Sequence, residues 1–316
     1  MEGSRTWTPP FPVDVPLVLS VHRHGGGDPT YRAESGAIWR TSLTPDGPAT
    51  IRITVARQVT AAPQIMAAPQ VTARAWGPGA AWLLEALPAL LGVDDPGAAD
   101  LPADAHGAAL LHDIARRHEG LRIGRSDRVL EALVPAILEQ KVVSKEAHRA
   151  WHDLLYRFGT RAPGPGPASM RVFPSAQTWA AIPSWEWHRA GVEGVRARTI
   201  MNAARLASRL EQITALGHEE ADRRLRVLPG IGQWTSAEVR QRACGDPDAL
   251  SVGDYNLPKL VGWTLAGQRD TDDAGMLDLL APYAGQRYRV QRLLEIGGSS
   301  QPRHGARMSV RDYRSF

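Results

Sequence analysis

The pattern of apolar positions divides the chain into a strand-like first part and a longer helical part. Before residue 80, short runs of β-branched and aromatic residues alternate with turn formers such as the glycines at 25–27. Such runs predict β-strands, here over residues 15–21, 37–42, 50–55 and 71–76. A helix is predicted over 80–91, because Gly92 and the Asp-Asp-Pro-Gly segment after it indicate a stop and a linker.

Beyond residue 105 the apolar residues recur every three to four positions, which is typical of amphipathic helices. Ser126 and Ser144 are expected to cap two helices, over 127–140 and 144–158. Further helices are predicted over 176–182, 184–190, 195–213, 219–227, 235–243, 256–265, 274–283 and 287–296. The pattern predicts an α+β protein with a small β-rich N-terminal domain (1–98), a larger all-helical domain (99–296) and a polar tail (297–316).

Charge and composition narrow the function classes. Residues 1–98 carry 7 basic and 8 acidic side chains of the chain's 37 and 33, so the remainder holds 30 against 25, a net charge of +5. A basic helical part is compatible with a polyanionic partner. No apolar stretch approaches the ~20 residues that cross a bilayer, and the single Cys244 excludes an internal disulfide or a multi-cysteine metal site. We therefore expect a cytoplasmic protein with no membrane partner and no metal site.

The most informative stretch is LPGIGQWT at residues 228–235, between two predicted helices. A hairpin of this kind packs two helices around an apolar residue, here Ile231, while Gly230 and Gly232 permit a tight turn. Main-chain N–H groups at such a turn, with the start of the next helix, form a phosphate site. An ordinary interhelix turn is the alternative, so this stretch alone does not decide between DNA binding and packing.

A carboxylate follows the hairpin. Asp254 lies 20 residues beyond Trp234 in the segment SVGDYNL, residues 251–257. An Asp in front of a predicted helix is commonly an N-cap. A carboxylate held beside a deoxyribose also stabilises the positive charge that develops on the sugar when a base departs. The two roles are compatible, because a capping side chain is fixed in place.

Together, the hairpin, the next helix and the loop with its aspartate resemble the helix–hairpin–helix DNA glycosylases. Within that superfamily they are most similar to the 3-methyladenine DNA glycosylase II family. The resemblance extends to AILEQKVVS at residues 136–144, which is similar to the family's loop that probes the DNA helix. It also includes PY at 282–283, GDPT at 27–30 and AWGPG at 75–79. It covers nearly the whole chain up to residue 296.

The resemblance implies an enzyme that flips a damaged base out of DNA and hydrolyses its N-glycosidic bond, with Asp254 as the catalytic carboxylate. Its substrates would be alkylated bases such as 3-methyladenine and 7-methylguanine. Trp234 stands where the lyase branch of the superfamily has a nucleophilic lysine, which predicts hydrolysis by water without an AP-lyase step. Trp234 and Tyr255 match aromatic positions of the family's base pocket; core packing is the alternative role for both.

The resemblance also assigns the remaining site residues. DNA contacts are expected from Leu228, Gly230, Ile231, Gly232 and Thr235 of the hairpin and from Gln140, Lys141 and Ser144 of the probing loop. Glu238 is expected in the base pocket, where related proteins place an aromatic residue; a solvated helix residue is the alternative. Lys141 stands where related proteins often have an apolar or amide wedge that fills the gap left by the flipped base. Three roles stay open for it: its stem fills that gap, its ammonium contacts a phosphate, or its amine supplies residual lyase activity.

The expected partner is double-stranded DNA with a damaged base, bound by a monomer associated with the nucleoid. No organic cofactor is expected, and the family resemblance allows a structural monovalent cation at the hairpin carbonyls. Two alternatives stay open. One is a glycosylase for deaminated or oxidised bases, and the other is a non-catalytic DNA-binding protein in which Asp254 only caps a helix.

Overall fold

The computed structural model describes residues 1–56, 69–98 and 101–299. Its first part consists of strand β1 (Glu2–Trp7), helix α1 (Val15–Leu19), a 3-10 turn (Ser20–His22), strands β2 (Tyr31–Glu34), β3 (Ala37–Thr44), β4 (Gly47–Ala56) and β5 (Gln70–Trp76), and helix α2 (Ala80–Leu90). The strands form an antiparallel sheet of order β1-β5-β4-β3-β2. The predicted strands over 37–42, 50–55 and 71–76 are therefore confirmed as β3, β4 and β5.

Alternation along the strands determines which face of the sheet is covered. Ile51 and Ile53 of β4 and Val71 and Ala73 of β5 are buried, and they share one apolar cluster with Leu87 of α2. Successive side chains of a strand lie on opposite faces, so these positions define the face that α2 covers. Strands β1 and β2 were not predicted, because their exposed, largely polar residues give no apolar run.

The segment 15–21 begins as a helix, so the predicted strand there is wrong. Asp14 Oδ1 accepts a hydrogen bond from the Leu17 N–H at 3.0 Å, and a proline occupies the first turn. Val15, Val18 and Leu19 are buried at helical spacing. Valines favour strands, but the Asp cap and the proline are both helix-start signals, and they decide the local structure.

The remainder of the described chain is mostly helical. It contains α3 (Ala108–Arg117), α4 (Val129–Leu138), α5 (Ser144–Phe158), α6 (Ala176–Ala181), α7 (Ser184–Arg189), α8 (Gly194–Arg205), α9 (Ala207–Glu211), α10 (His218–Arg226), α11 (Gln233–Val239), α12 (Leu257–Ala266), α13 (Asp273–Leu280) and α14 (Arg287–Gly297). A two-stranded ribbon, β6 (Thr160–Arg161) and β7 (Arg171–Val172), interrupts the helices. The predicted α+β architecture, a small β-rich start followed by a larger helical part, is confirmed.

Several predicted helix boundaries are corrected. The single helix over 195–213 breaks at Leu206, between α8 and α9. Ser144 is the first residue of α5 and not its cap, because Val143 occupies the N-cap position. Ser126 lies ahead of the N-cap residue Arg128, to whose N–H it presents its hydroxyl at 3.4 Å. The helix predicted over 235–243 divides into α11 and a π-helical turn over 240–244.

Two apolar clusters organise the helical part. The first, which we call the hairpin cluster, joins α4 and α5 to α8, α10 and α11 and includes Ile231. The second, the terminal cluster, joins Leu111 and Ile114 of α3 to residues of α12, α13 and α14. Gly297 still belongs to α14, and the predicted tail from residue 300 onward lies outside the described residues. The predicted domain boundary at residue 98 stays a prediction.

Polar contacts attach the sheet to the helices beside the hairpin cluster. The Glu131 carboxylate of α4 accepts hydrogen bonds from the Leu43 N–H at 2.6 Å and the Ser42 hydroxyl at 2.9 Å. The buried Asp28 accepts a hydrogen bond from the Trp151 indole of α5 at 2.9 Å. The Glu131 contacts hold β3 against α4, and the Asp28 contact holds the loop after α1 against α5. In the described part of the chain, no helix is long and apolar enough to cross a membrane.

Candidate active site

The hairpin lies between α10 and α11. Ile231 is 5% exposed and packs in the hairpin cluster. Gly230 has φ +90°, and a Cβ at this position would lie 2.4 Å from Thr199 Oγ1, so this position requires glycine. Gly230 and Gly232 are exposed while the side chains of Ile231 and Thr235 are buried. Any hairpin contact with DNA therefore falls mainly to the main chain.

The predicted probing segment, residues 136–144, consists of the end of α4, a loop over 139–143 that we call the probing loop, and the first residue of α5. This loop is bonded directly to the hairpin. The Gln140 amide nitrogen donates hydrogen bonds to the Gly230 carbonyl at 2.9 Å and to the Thr235 hydroxyl at 2.8 Å. Lys141 is exposed and has φ +54°, a left-handed conformation that costs a non-glycine residue about 1–3 kcal/mol. Ser144 is exposed at the start of α5. The structure thus brings the two predicted DNA-binding segments together.

Asp254 is fixed just ahead of α12, whose N-cap residue is Asn256, so its predicted N-cap position is corrected. Its Oδ1 accepts hydrogen bonds from the Asn256 N–H at 2.7 Å and the Leu257 N–H at 2.8 Å. No residue of the described ranges donates a hydrogen bond to Oδ2. Its own N–H donates to the Ser251 carbonyl at 3.2 Å. One carboxylate oxygen is therefore fixed by the backbone, and the other is free to face a substrate.

The preceding residue holds the Asp254 loop against the hairpin helix and α13. The Gly253 N–H donates to Asp273 Oδ1 at 3.1 Å, and Gly253 has φ +93°. A Cβ on Gly253 would lie 3.9 Å from Trp234 Cβ, so the loop and the start of α11 are in contact. Trp234 is half-buried at this contact. Trp234 thus lies beside the Asp254 loop, and its predicted role in the base pocket stays a prediction.

Tyr255 occupies a different environment. Its side chain is 72% exposed, and Lys259 Nζ lies 4.0 Å from the centre of its ring. This cation–π contact covers one face of the ring and keeps it at the surface. Tyr255 therefore does not form a buried wall beside Trp234, and its predicted pocket role stays a prediction.

Glu238 lies one turn after Trp234 and is 7% exposed, so it is not a solvated helix residue. Its Oε1 accepts a hydrogen bond from the Ser251 hydroxyl at 2.6 Å, and its Oε2 accepts one from Arg242 Nη1 at 2.7 Å. Arg242 also donates from Nε to the Val21 carbonyl at 2.9 Å. The carboxylate thus joins the hairpin helix to the Asp254 loop and, through Arg242, to the segment after α1.

A buried hydrogen-bond network continues from Glu238 to the last helix. Gln241 Nε2 donates to the Ser251 hydroxyl at 2.8 Å, and Gln291 Nε2 of α14 donates to Glu295 Oε1 at 3.0 Å and lies 3.4 Å from the same hydroxyl. The sequence analysis did not identify this network. Arg242 had a detectable signal, because it lies four residues after Glu238 on one helical face. For its partners Ser251 and Gln291, no pattern in the sequence indicated a place in this network.

Burial shifts the ionisation of this network. It raises the pKa of the Glu238 carboxyl, against the attraction of Arg242 and the Ser251 hydrogen bond. For Arg242, burial acts to lower the pKa, but Glu238, Tyr288 and Glu139 together outweigh it and raise the pKa above its usual range. Burial also raises the pKa of Cys244 to about 12, which excludes that thiol as a nucleophile at neutral pH.

Metal and cation sites were considered from the same residues. Among the residues that the structure describes, no group of three or more His, Cys, Asp or Glu side chains could hold a metal ion. The hairpin carbonyl of Gly230 already accepts the Gln140 amide, and that of Leu228 accepts the Ile231 N–H at 3.1 Å. A monovalent cation at these carbonyls stays a prediction.

Comparison with known proteins agrees with this geometry. No family model matches the chain. The chain is 33% identical over 150 residues to a probable bifunctional transcriptional activator/DNA repair enzyme AlkA of Mycobacterium tuberculosis. That match covers 46% of this chain and 29% of the relative, so the chain matches less than a third of the length of this curated protein.

Solved structures share the fold over most of the chain. A 3-methyladenine DNA glycosylase from Archaeoglobus fulgidus matches with a TM-score of 0.74 at 17% identity, over 93% of this chain and 98% of that chain. An 8-oxoguanine glycosylase/lyase from Clostridium acetobutylicum, in complex with double-stranded DNA, matches with a TM-score of 0.67 at 14% identity, over 93% and 96%. The chain therefore shares the fold of these two glycosylases, and its resemblance to an AlkA protein is confirmed over 150 residues.

Proposed function

We propose that the chain is a DNA glycosylase of base excision repair, which removes alkylated bases from double-stranded DNA with Asp254 as its catalytic carboxylate. The proposal rests on the different surroundings of the two oxygens of that carboxylate. Two backbone N–H groups hold Oδ1, while Oδ2 receives no hydrogen bond from the described residues. The AlkA similarity and the glycosylase fold support the same activity.

In the proposed reaction the hairpin main chain holds a phosphate near the lesion, and the damaged nucleotide rotates out of the duplex. The C1′–N bond breaks with its electron pair leaving on the base, which makes the sugar cationic. Asp254 stabilises that charge and orients a water molecule, whose oxygen bonds to C1′ as its proton passes to the carboxylate. An alkylated purine is already cationic before cleavage, so it departs as a neutral molecule without a general acid.

Trp234 supports both the substrate class and the reaction type. Its half-buried ring beside the Asp254 loop offers an aromatic face to a cationic base. The same position lacks the amine that a lyase would use to form a Schiff base with the sugar. We therefore propose a monofunctional hydrolase that leaves an intact strand with an abasic site.

A second candidate substrate is an oxidised or deaminated base. It is favoured by the fold that the chain shares with an 8-oxoguanine glycosylase/lyase. The Glu238 carboxylate gives no further support, because Ser251 and Arg242 already donate to its two oxygens. The two candidates share Asp254 and differ in the lesion that is released.

The test uses duplex oligonucleotides with a single 7-methylguanine, 8-oxoguanine or uracil, incubated with wild type, Asp254→Asn or the exposed control Asp278→Asn. Released bases are identified by mass, and strand breaks are counted with and without alkali. We expect wild type and Asp278→Asn to release 7-methylguanine with breaks only after alkali, and Asp254→Asn to release none.

Other outcomes separate the alternatives. Release of 8-oxoguanine or uracil alone transfers the proposal to the second candidate. Breaks without alkali contradict the monofunctional reaction. Binding to DNA without release of any base by wild type leaves a non-catalytic DNA-binding protein. We also propose that the protein acts as a monomer; light scattering of the wild type on its own and with DNA tests this.

A further inference from the structure

The sheet face opposite α2 presents a row of basic side chains. The row, which we call the arginine row, takes one residue from each strand, directly opposite its neighbour in the register: Arg32 of β2, Trp39 of β3, Arg52 of β4, Arg74 of β5 and Ser4 of β1. Arg52 lies between the buried Ile51 and Ile53, which pack in the cluster with α2. Since successive side chains of a strand alternate between faces, the arginine row crosses the whole sheet on the other face.

Two arginines of the row are direct neighbours. Arg52 of β4 lies opposite Arg74 of β5, and like charges in directly opposite positions destabilise a pair of strands. Arg74 forms an ion pair with Glu2, whereas none of the described residues offers a carboxylate to Arg52. At the other end of the row, Arg32 donates hydrogen bonds to uncharged oxygens only, within the described ranges. The positive charge of this face is therefore only partly neutralised within the fold.

Two tryptophan rings hold these guanidinium groups in place. Arg52 Cζ lies 5.7 Å from the centre of the Trp39 ring, and Arg74 Cζ lies 5.3 Å from the centre of the Trp76 ring. The two rings stack on each other at 5.6 Å and are buried together with Met170. A guanidinium stacked on an aromatic face keeps its N–H donors available at its edge. Because the arginines are already fixed, a ligand that binds them pays less for ordering their side chains.

A row of hydroxyls lies beside the arginine row, on the same face. Thr54 of β4 and Thr6 of β1 are both directly opposite Thr72 of β5. Arginine guanidinium groups and threonine hydroxyls are both common donors to the phosphates of DNA. The acidic residues of this face, Glu2 and Glu34, lie at the ends of the two edge strands β1 and β2. The centre of the face is thus cationic and rich in hydrogen-bond donors, which suits a polyanion.

We propose that the arginine row binds the phosphate backbone of double-stranded DNA, at a surface built from other elements than the hairpin. Its guanidinium groups pair with phosphate oxygens through parallel N–H donors. Contacts to phosphates carry no sequence information, so the surface holds undamaged DNA of any sequence. The inference rests on the proposed function only for its partner, DNA. It goes beyond that function because it needs neither a lesion nor a flipped base.

The test measures the affinity of the protein for a fluorescently labelled, undamaged duplex as the salt concentration rises from about 50 to about 200 mM. The variants are Arg52→Gln/Arg74→Gln and Arg52→Lys/Arg74→Lys, with Arg116→Gln/Arg117→Gln on α3 as an exposed control that removes the same charge. Each phosphate contact contributes about 0.9 to the slope of log K against log salt. We therefore expect the affinity of wild type to fall about tenfold more over this range than that of Arg52→Gln/Arg74→Gln. The lysine variant and the control should keep the wild-type slope.

The inference is overturned if Arg52→Gln/Arg74→Gln keeps the wild-type slope or if the control loses as much of it. It is also overturned if the lysine variant loses the slope, because charge at this surface is then not what binds DNA. If the glutamine double variant melts below wild type, the single Arg52→Gln, which keeps the ion pair of Arg74, replaces it and should lose about half as much slope. A wild type that releases 7-methylguanine but binds no undamaged duplex refutes the arginine row alone, and one that does neither refutes the proposed function as well.

Discussion

Asp254 has a structural role and a proposed catalytic one, and two substitutions separate them. Its Oδ1 accepts hydrogen bonds from the Asn256 and Leu257 N–H groups at 2.7 and 2.8 Å, which fix the loop to the start of α12. Asp254→Asn keeps an oxygen acceptor for these N–H groups, so we expect a stability change within about 0.5 kcal/mol. Asp254→Ala removes the acceptor and should cost about 1–2 kcal/mol.

The predicted activities do not follow the predicted stabilities. A neutral side chain cannot stabilise a cationic sugar, so both variants should lose about 10²–10³-fold or more in excision rate. The melting temperature of Asp254→Ala should be lower than that of wild type by about 2–4 °C for each kcal/mol of stability lost. The melting temperature of Asp254→Asn should be close to that of wild type. Single-turnover release of 7-methylguanine gives the rate.

Three results would refute the reasoning. If Asp254→Asn melts as low as Asp254→Ala, the Asp254 carboxylate does not act through a hydrogen bond that an amide oxygen can replace. If Asp254→Asn excises at the wild-type rate, the free carboxylate oxygen has no part in the reaction. A loss of activity in step with melting temperature would show that only the fold of the loop matters.

Three further predictions follow from other contacts. Gln140→Ala removes two hydrogen bonds to the hairpin, worth about 2 kcal/mol together, so duplex binding should weaken about tenfold or more; unchanged binding would show that the loop does not need this link. Burial holds the pKa of His22 well below its usual range, so the unfolded chain binds the extra proton first and stability should fall below pH ~6.5, by up to about 1.4 kcal/mol per pH unit. Melting curves should show a weaker pH dependence in His22→Asn and an unchanged one in the exposed His188→Asn. Arg289→Met removes the ion-pair partner of the buried Asp95 carboxylate and should lower the free energy of unfolding by about 3–5 kcal/mol. The exposed Arg74→Met should lower it by less than about 1 kcal/mol; equal melting temperatures of the two variants would contradict this.

The features that could be predicted from the sequence are those with local causes. The hairpin depends on Gly230, whose φ of +90° is a conformation that other residues rarely adopt. Strands β4 and β5 have alternating apolar residues that one buried face requires, and β3 begins with an apolar run. In each case the residues that determine the local structure lie within a few positions of it, so the sequence alone is enough to predict it.

The features that could not be predicted depend on residues far apart in the chain. The Gln140 link to Gly230 spans 90 positions, and the burial of Glu238 requires Ser251 from a different loop. Nothing in the local pattern distinguishes such a glutamate from a solvated one. The segment 15–21 is a different case, because the Asp14 cap was present in the sequence and β-branched propensity was given more weight.

The two apolar clusters have a consequence for how the protein is made. The hairpin cluster is complete once residue 243 has been synthesised, whereas the terminal cluster needs both Leu101 and Leu294. Asp254 lies between Leu250 and Leu257 of the terminal cluster. On the ribosome, a nascent chain can therefore fold the glycine turn while the Asp254 loop still lacks a partner. If the proposed function holds, a polypeptide cut short before α14 is expected to hold DNA without acting on it, and so to obstruct the full-length protein.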